Sequence, residues 1–145
     1  MATTQKGAFP YALRYHYPQM REEDKLIWER FIAKYPTEFD TVDYDVAVGS
    51  GPEFSTIVTE ATGGDAARIY KKKIDVVAYK GDKVFIIELK PRADARAFGQ
   101  VLGYEELYKR DIDPNAFIVT MVITDELIID ARMIAAKMGV ILRVA

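Results

Sequence analysis

Cysteine is absent from this 145-residue chain, and histidine occurs once. The lack of cysteine excludes a disulfide framework and thiolate metal sites, and it suits a reducing compartment. The single histidine excludes a metal site built from several imidazoles. No apolar run is long enough for a signal peptide or a membrane span. We therefore expect a cytoplasmic protein without a membrane partner.

A strong charge of one sign is also lacking, because the formal net charge is −2. This balance disfavours a protein that coats or packages nucleic acid, but an enzyme can meet nucleic acid through one local basic patch. Basic residues do flank two acidic positions: Arg68, Lys71, Lys72 and Lys73 precede Asp75, and Lys90, Arg92 and Arg96 follow Glu88. The alternative is a solvated strand edge and a solvated helix start.

Half of the residues are apolar, which excludes a disordered chain. The length predicts a single domain, residues 1–145, that is able to bury a core. Helical spacing of apolar residues predicts helices over residues 21–35, 94–109 and 125–138. Strands are predicted over residues 41–48, 69–79, 83–90, 116–124 and 140–144, with a less certain β-prone stretch at 54–62 and a turn at 63–65.

Two finer expectations concern the strands. In the first strand, alternation places Val42, Tyr44, Val46 and Val48 on one face. In the third, Pro91 should prevent the strand from continuing. The element order α-β-β-β-α-β-α-β, with an apolar run at residues 84–87 typical of a strand covered on both faces, predicts an α/β layered fold around a central mixed sheet.

The residues around Gly81-Asp82 predict a hairpin with a two-residue type II′ turn. In that register the numbers of paired residues sum to 163, so Asp75 lies opposite Glu88 and Lys73 lies opposite Lys90. Directly opposed residues share a face, with Cβ atoms roughly 5 Å apart. The register thus turns two distant acidic residues into a cross-strand pair.

Two carboxylates held this close in a partly covered site call for a shared proton or a cation. A hard divalent cation prefers such ligands, and the Leu89 carbonyl is a further candidate ligand. Lys90 follows Glu88 by two residues, so it points to the same face and could orient a water or stabilise charge on a phosphate. The alternative is an ordinary surface ladder. The apolar run before Glu88 disfavours it, because it places this strand in the centre of the sheet.

The strings Ile74-Asp75-Val76-Val77 and Ile86-Ile87-Glu88-Leu89-Lys90 resemble the core motif of the PD-(D/E)xK nuclease superfamily. The resemblance implies a three-layer α-β-α fold with the core order α-β-β-β-α-β, here followed by an added helix and strand. It also implies that Asp75 and Glu88 bind Mg²⁺ or Mn²⁺ and that Lys90 is the catalytic lysine. Ile74 stands where the family name has proline.

Two softer matches accompany this motif. RecB-like members often carry Gln and Tyr four residues apart on the next helix, as Gln100 and Tyr104 are here. The first helix often supplies a Glu with apolar residues three and four positions later, which fits Glu23. Glu22 and Glu29 compete for that role, and any of the three could be a solvated residue.

The resulting hypothesis is hydrolysis of DNA phosphodiester bonds. Its catalytic residues would be Asp75, Glu88, Lys90 and Gln100, and Asp75, Glu88, Leu89 and Glu23 would hold the metal ion. Lys73, Arg92, Arg96 and Tyr104 would bind the substrate. The alternative is an inactive nucleic-acid-binding or assembly module on the same fold. A domain this small has little surface to contact duplex DNA. We therefore also expect self-association, as a homodimer or in a larger assembly.

Overall fold

The computed structural model describes residues 6–49 and 71–145, and only the backbone of Lys71. The predicted β-prone stretch at 54–62, the turn at 63–65 and the basic residue Arg68 lie outside the described residues. The helices are α1 (Glu22–Lys34), α2 (Ala95–Asp111) and α3 (Ile129–Met138). The strands are β1 (Phe9–Pro10), β2 (Thr41–Gly49), β3 (Lys71–Lys80), β4 (Lys83–Arg92), β5 (Phe117–Glu126) and β6 (Ile141–Val144).

The six strands form one mixed sheet, in which spatial order follows chain order. Strands β1 to β4 are antiparallel neighbours, whereas β5 and β6 add to β4 in parallel. Each parallel connection is made by a helix, α2 or α3, because parallel strands need a crossover. In the described part of the chain no helix is long and apolar enough to cross a membrane.

Helices cover both faces of the sheet. On one face the odd-numbered residues of β4 and β5, such as Ile87 and Met121, pack with Trp28 and Phe31 of α1. The indole N–H of Trp28 donates to the hydroxyl of Tyr44 at 2.9 Å, so the polar atoms of this core are paired. On the other face the core is built with α2 and α3. The predicted three-layer α-β-α fold with a central mixed sheet is confirmed.

The predicted hairpin register is confirmed near the turn, whereas the predicted pairs of Asp75 with Glu88 and of Lys73 with Lys90 lie beyond the end of the ladder. The pairs run from Lys80 with Lys83 to Val76 with Ile87, and every pair sums to 163. Gly81 has a φ of +58°, whereas Asp82 is not among the residues with positive φ. This combination fits the type II′ turn, in which only the first central residue needs the left-handed region.

Two predicted boundaries were wrong. Strand β4 continues through Pro91 to Arg92. Pairing with β3 has already ended at Ile87, so the missing N–H of Pro91 removes no bond from that ladder. Helix α3 begins at Ile129 rather than at residue 125, because β5 extends to Glu126 along its parallel partner.

The alternation predicted for β2 was also wrong. Val42 and Tyr44 pack on the α1 face, but Val46 and Val48 pack with residues of α2 on the opposite face. Between them Asp45 has a φ of +54°. A residue with a positive φ changes the direction in which the following side chains point. Even-numbered residues before Asp45 therefore point to one face of the sheet, and even-numbered residues after it point to the other.

Candidate active site

Asp75 lies where β3 and β4 stop pairing. The ladder ends at Val76 and Ile87, and beyond it the Asp75 carboxylate accepts a hydrogen bond from the backbone N–H of Leu89 at 3.1 Å. The Asp75 side chain thereby pairs with a backbone N–H that lies beyond the end of the β3–β4 ladder. This contact fixes Asp75 against β4 beside Glu88.

Glu88 is buried on the α2 face, with only 6% of its surface exposed. Its Oε2 atom is fully buried and has no hydrogen-bond partner. A buried polar atom without a partner costs free energy, more so when it carries charge. Among the described residues, Oε2 of Glu88 is the buried side-chain oxygen that has no hydrogen-bond partner, and a bound cation or a proton shared with Asp75 would satisfy it.

The two carboxyl groups perturb each other. Burial, and then the charge of Asp75, raise the pKa of Glu88 above its ordinary value. Burial is also the largest cause of the raised pKa of Asp75, although the Leu89 N–H opposes it. Lys90 favours the ionised form of both groups and lowers both pKa values. Without a further positive charge, the pair thus tends to retain a proton.

Helix α1 brings a third carboxylate, and it is Asp24. Its negative charge raises the pKa of both Asp75 and Glu88, and its own pKa is raised, first by burial and then by Glu23. Glu23 also lines the cavity, but its side chain is 59% exposed and pairs with Arg21 at 3.8 Å.

The sequence analysis names Glu23 and not Asp24, and both residues line the cavity. The spacing of Leu26 and Ile27 predicts Glu23, but Leu26 is 47% exposed. Asp24 is followed at the same spacings by Ile27 and Trp28, which are fully buried. The signal was therefore present in the apolar stripe of the helix. The two competitors lie apart from the cavity lining: Glu22 is exposed, and Glu29 accepts from the Tyr17 hydroxyl at 3.3 Å.

Gln100 and Tyr104 approach the pair from α2. The Gln100 amide donates to the Tyr104 hydroxyl at 2.8 Å, as the spacing of four residues allows. Tyr104 is 4% exposed, and burial followed by the charge of Glu88 raises its pKa to about 12. The helix is anchored beside this site by Asp94, whose carboxylate caps the N–H groups of Arg96 and Ala97.

These side chains surround one cavity of about 200 Å³. A water molecule occupies about 30 Å³ in the liquid, so the space accommodates a hydrated ion. The lining residues come from α1, β3, β4 and α2, and they are Arg21, Glu23, Asp24, Lys73, Asp75, Glu88, Leu89, Lys90, Pro91, Gln100 and Tyr104.

Two predicted substrate contacts are not part of this lining. Arg92 forms an exposed ion pair with Glu126 at 3.2 Å. Arg96 is exposed in the first turn of α2, where its backbone N–H is capped by Asp94. Neither residue lines the cavity, although both follow the cavity residue Pro91 closely in the chain. Their role as substrate contacts stays a prediction.

The donor set fits a hard divalent cation. Carboxylate oxygens are its preferred ligands, and the unpartnered Glu88 oxygen supplies a free one. Within residues 6–49 and 71–145, no three or more His, Cys, Asp or Glu side chains converge into a ready-made metal cluster. An ion held here would thus keep water ligands, as Mg²⁺ usually does.

No protein-family model matches the chain, and no curated protein does. Solved structures do match. A repair endonuclease from Pyrococcus abyssi gives a TM-score of 0.55 at 18% identity, over 88% of this chain and 49% of that one. The EndoMS complex with double-stranded DNA gives 0.53 at 16% identity, over 92% and 48%. A Vibrio cholerae protein gives 0.50 at 15% identity, over 89% and 35%.

The chain has a restriction-endonuclease-like fold. It spans about half the length of the two endonuclease chains that it matches. The fold implied by the resemblance to the PD-(D/E)xK superfamily is thereby confirmed.

Proposed function

We propose that this protein hydrolyses phosphodiester bonds of DNA with the help of Mg²⁺ or Mn²⁺. The observation that carries the proposal is the buried pair of Asp75 and Glu88, in which one Glu88 oxygen has no partner. A structural carboxylate would be expected to have its buried oxygens satisfied. A buried carboxylate pair with one unpartnered oxygen, beside a lysine, suits a metal-dependent hydrolase.

Asp75 and Glu88 would hold the cation, together with the Leu89 carbonyl, and Asp24 would act through a bound water. When bound, the cation would lower the pKa of a water and neutralise the scissile phosphate. The protein's own contribution is to hold the two carboxylates side by side, and the Leu89 N–H and the Lys90 ammonium both oppose the rise in the pKa of Asp75.

Lys90 is the cavity residue suited to orient the attacking water or to stabilise charge that develops on the phosphate. Gln100 has a second amide proton beyond the one it gives to Tyr104, and this proton is available to a phosphate oxygen. Lys73 at the cavity, and Arg92 and Arg96 outside it, would hold the flanking phosphates as positively charged contacts.

Two observations favour DNA as the substrate. The fold is shared with a protein described as a repair endonuclease and with one bound to double-stranded DNA. Basic side chains also line the cavity despite a negative net charge. Because a domain of this size offers little surface to duplex DNA, we further propose that it acts as a homodimer or within a larger assembly.

The experiment is cleavage of plasmid, linear and branched DNA with Mg²⁺, Mn²⁺ or a chelator. We expect cleavage with either metal ion, and loss of at least two orders of magnitude in Asp75→Ala and Glu88→Ala, since each removes a metal ligand. Glu106→Gln, on the exposed face of α2, is the matched control. Undiminished cleavage by both alanine variants contradicts the proposal. DNA binding without binding of a divalent cation would favour the inactive module instead.

A further inference from the structure

The pairing of β2 with β3 is interrupted at one position, Asp45 opposite Asp75. The pairs on both sides keep one register, so no residue is inserted. Asp45 has a φ of +54°, a left-handed conformation that is unfavourable for most residues and that aspartate tolerates better than most. The interruption is therefore not a slipped strand, and Asp45 is the residue of this pair with a positive φ.

The same conformation recurs beside it. Among the described residues other than glycine, only Gln19 shares a positive φ, and both residues line a small second cavity against Asp75, together with Pro18 and Met20. Backbone strain of this kind is retained where a functional geometry depends on it. Here the two residues with a positive φ lie beside Asp75, a proposed metal ligand, in the second cavity.

The strain has a definite consequence for charge. In an unbroken ladder Asp45 and Asp75 would be directly opposed on one face, with Cβ atoms roughly 5 Å apart, and their like charges would repel. Instead the Asp45 carboxylate lies 3.7 Å from the Lys73 ammonium. Lys73 lines the main cavity with Asp75 and Glu88, so Asp45 contacts a side chain of the site.

We propose that Asp45 is a positioning residue that acts through Lys73. The left-handed backbone of Asp45 directs its carboxylate away from Asp75. That carboxylate holds the Lys73 ammonium at the cavity until the ammonium binds a substrate phosphate instead. The pair is partly exposed, with side-chain exposures of 20% for Asp45 and 52% for Lys73, so it is weak enough to open. This role rests on the proposed function.

Asp45→Asn tests the charge alone, since asparagine also adopts the left-handed conformation. Without metal, we expect duplex DNA to bind about two- to fivefold tighter, because Lys73 no longer has to leave a carboxylate. With Mg²⁺, we expect kcat to fall about two- to fivefold, because the freed ammonium is less well oriented. Tighter binding with slower cleavage is a combination that a purely structural role would not produce.

The matched backgrounds are Lys73→Met and Lys72→Met, which remove neighbouring charges. Both effects of Asp45→Asn should vanish when Lys73 is methionine and persist when Lys72 is methionine. Effects that persist without Lys73, or an Asp45→Asn variant with unchanged binding or unchanged kcat, overturn the proposal.

Asp45→Gly and Asp45→Ala test the backbone. Glycine accepts a positive φ, whereas alanine does not, so the melting temperature of the alanine variant should be lower by roughly 2–4 °C. Equal melting temperatures contradict the backbone part. If the wild-type protein binds DNA but does not cleave it, the proposed hydrolysis fails, whereas the metal-free binding comparison still decides whether Asp45 acts on Lys73.

Discussion

The Asp75 carboxylate accepts the backbone N–H of Leu89 at 3.1 Å, across the point where β3 and β4 stop pairing. This bond fixes the Asp75 side chain against β4, beside Glu88. One oxygen of Asp75 is engaged by the backbone, while one oxygen of Glu88 has no partner. Because both carboxyl groups have raised pKa values, the stability of the protein should depend on pH.

Metal-free stability should fall as the pH rises. The native pKa values of Asp75 and Glu88 are raised above the ordinary values near 4. The native state therefore holds protons that the unfolded state releases. The stabilisation is fully present below the unfolded pKa and is lost as the pH rises through the native pKa values. Thermal unfolding with a chelator from pH 4 to pH 9 measures this slope.

Glu88→Gln removes one of these charges while keeping the shape. At pH 8 without metal, we expect the variant to be more stable than the wild type by at least about 1 kcal/mol, and the difference should shrink toward pH 4. Added Mg²⁺ should raise the melting temperature of the wild type more than that of the variant. A variant that is less stable at pH 8 would contradict the account of the pair.

A large part of the fold could be predicted from the sequence because it depends on short-range patterns. The turn at Gly81-Asp82 fixed the hairpin register, and the register placed Asp75 beside Glu88. The failures concern how the strands pair and turn within the assembled sheet. Pro91 is accommodated because β4 no longer pairs with β3 at that point, and the faces of β2 exchange at Asp45. Neither event follows from the local sequence.

The candidate site was predictable to a similar extent. Asp75, Glu88, Lys90, Gln100 and Tyr104 were predicted from motif and spacing, and the structure brings them to one cavity. The third carboxylate depends on how α1 is rotated on the sheet. A rotation of one residue separates Glu23 from Asp24, and only packing fixes it.

Asp24 and Glu23 offer a matched comparison on one helix turn. Asp24→Asn should weaken Mn²⁺ binding about tenfold, because its charge acts on both carboxylates of the pair. Glu23→Gln should change the affinity by less than about twofold, since its side chain is exposed and paired with Arg21. Titration calorimetry measures both constants. A larger effect at Glu23 than at Asp24 would restore the assignment made from the sequence.

Tyr104→Phe should lower kcat about fivefold, the equivalent of one hydrogen bond, because Gln100 loses the acceptor that orients it. KM should change less, since Tyr104 is buried beside Glu88 rather than exposed. Tyr108→Phe, one turn further along α2, is the control, because its hydroxyl lies near Tyr79 at 3.5 Å. Equal effects of the two substitutions would indicate a packing role for Tyr104.

Thr124 stabilises the strand end that follows Lys90. Its buried hydroxyl accepts the Ala93 N–H at 3.2 Å and donates to the Pro91 carbonyl at 3.0 Å. Thr124→Val should cost about 1–3 kcal/mol of unfolding free energy, because a backbone donor and acceptor lose their partner. Thr124→Ser should retain most of the wild-type unfolding free energy, because serine keeps the hydroxyl. Denaturant unfolding of the two variants decides this, and a valine variant as stable as the serine one would refute it.

The central claim is that Asp75 and Glu88 together bind a divalent cation. The most direct measurement is a crystal structure of the protein soaked in Mn²⁺, with the ion located by its anomalous signal. The account predicts one peak in contact with a carboxylate oxygen of Asp75 and with Oε2 of Glu88, the atom that has no partner in the metal-free protein. A structure in which the two carboxylates diverge, or in which no ion lies between them at saturating Mn²⁺, would contradict it.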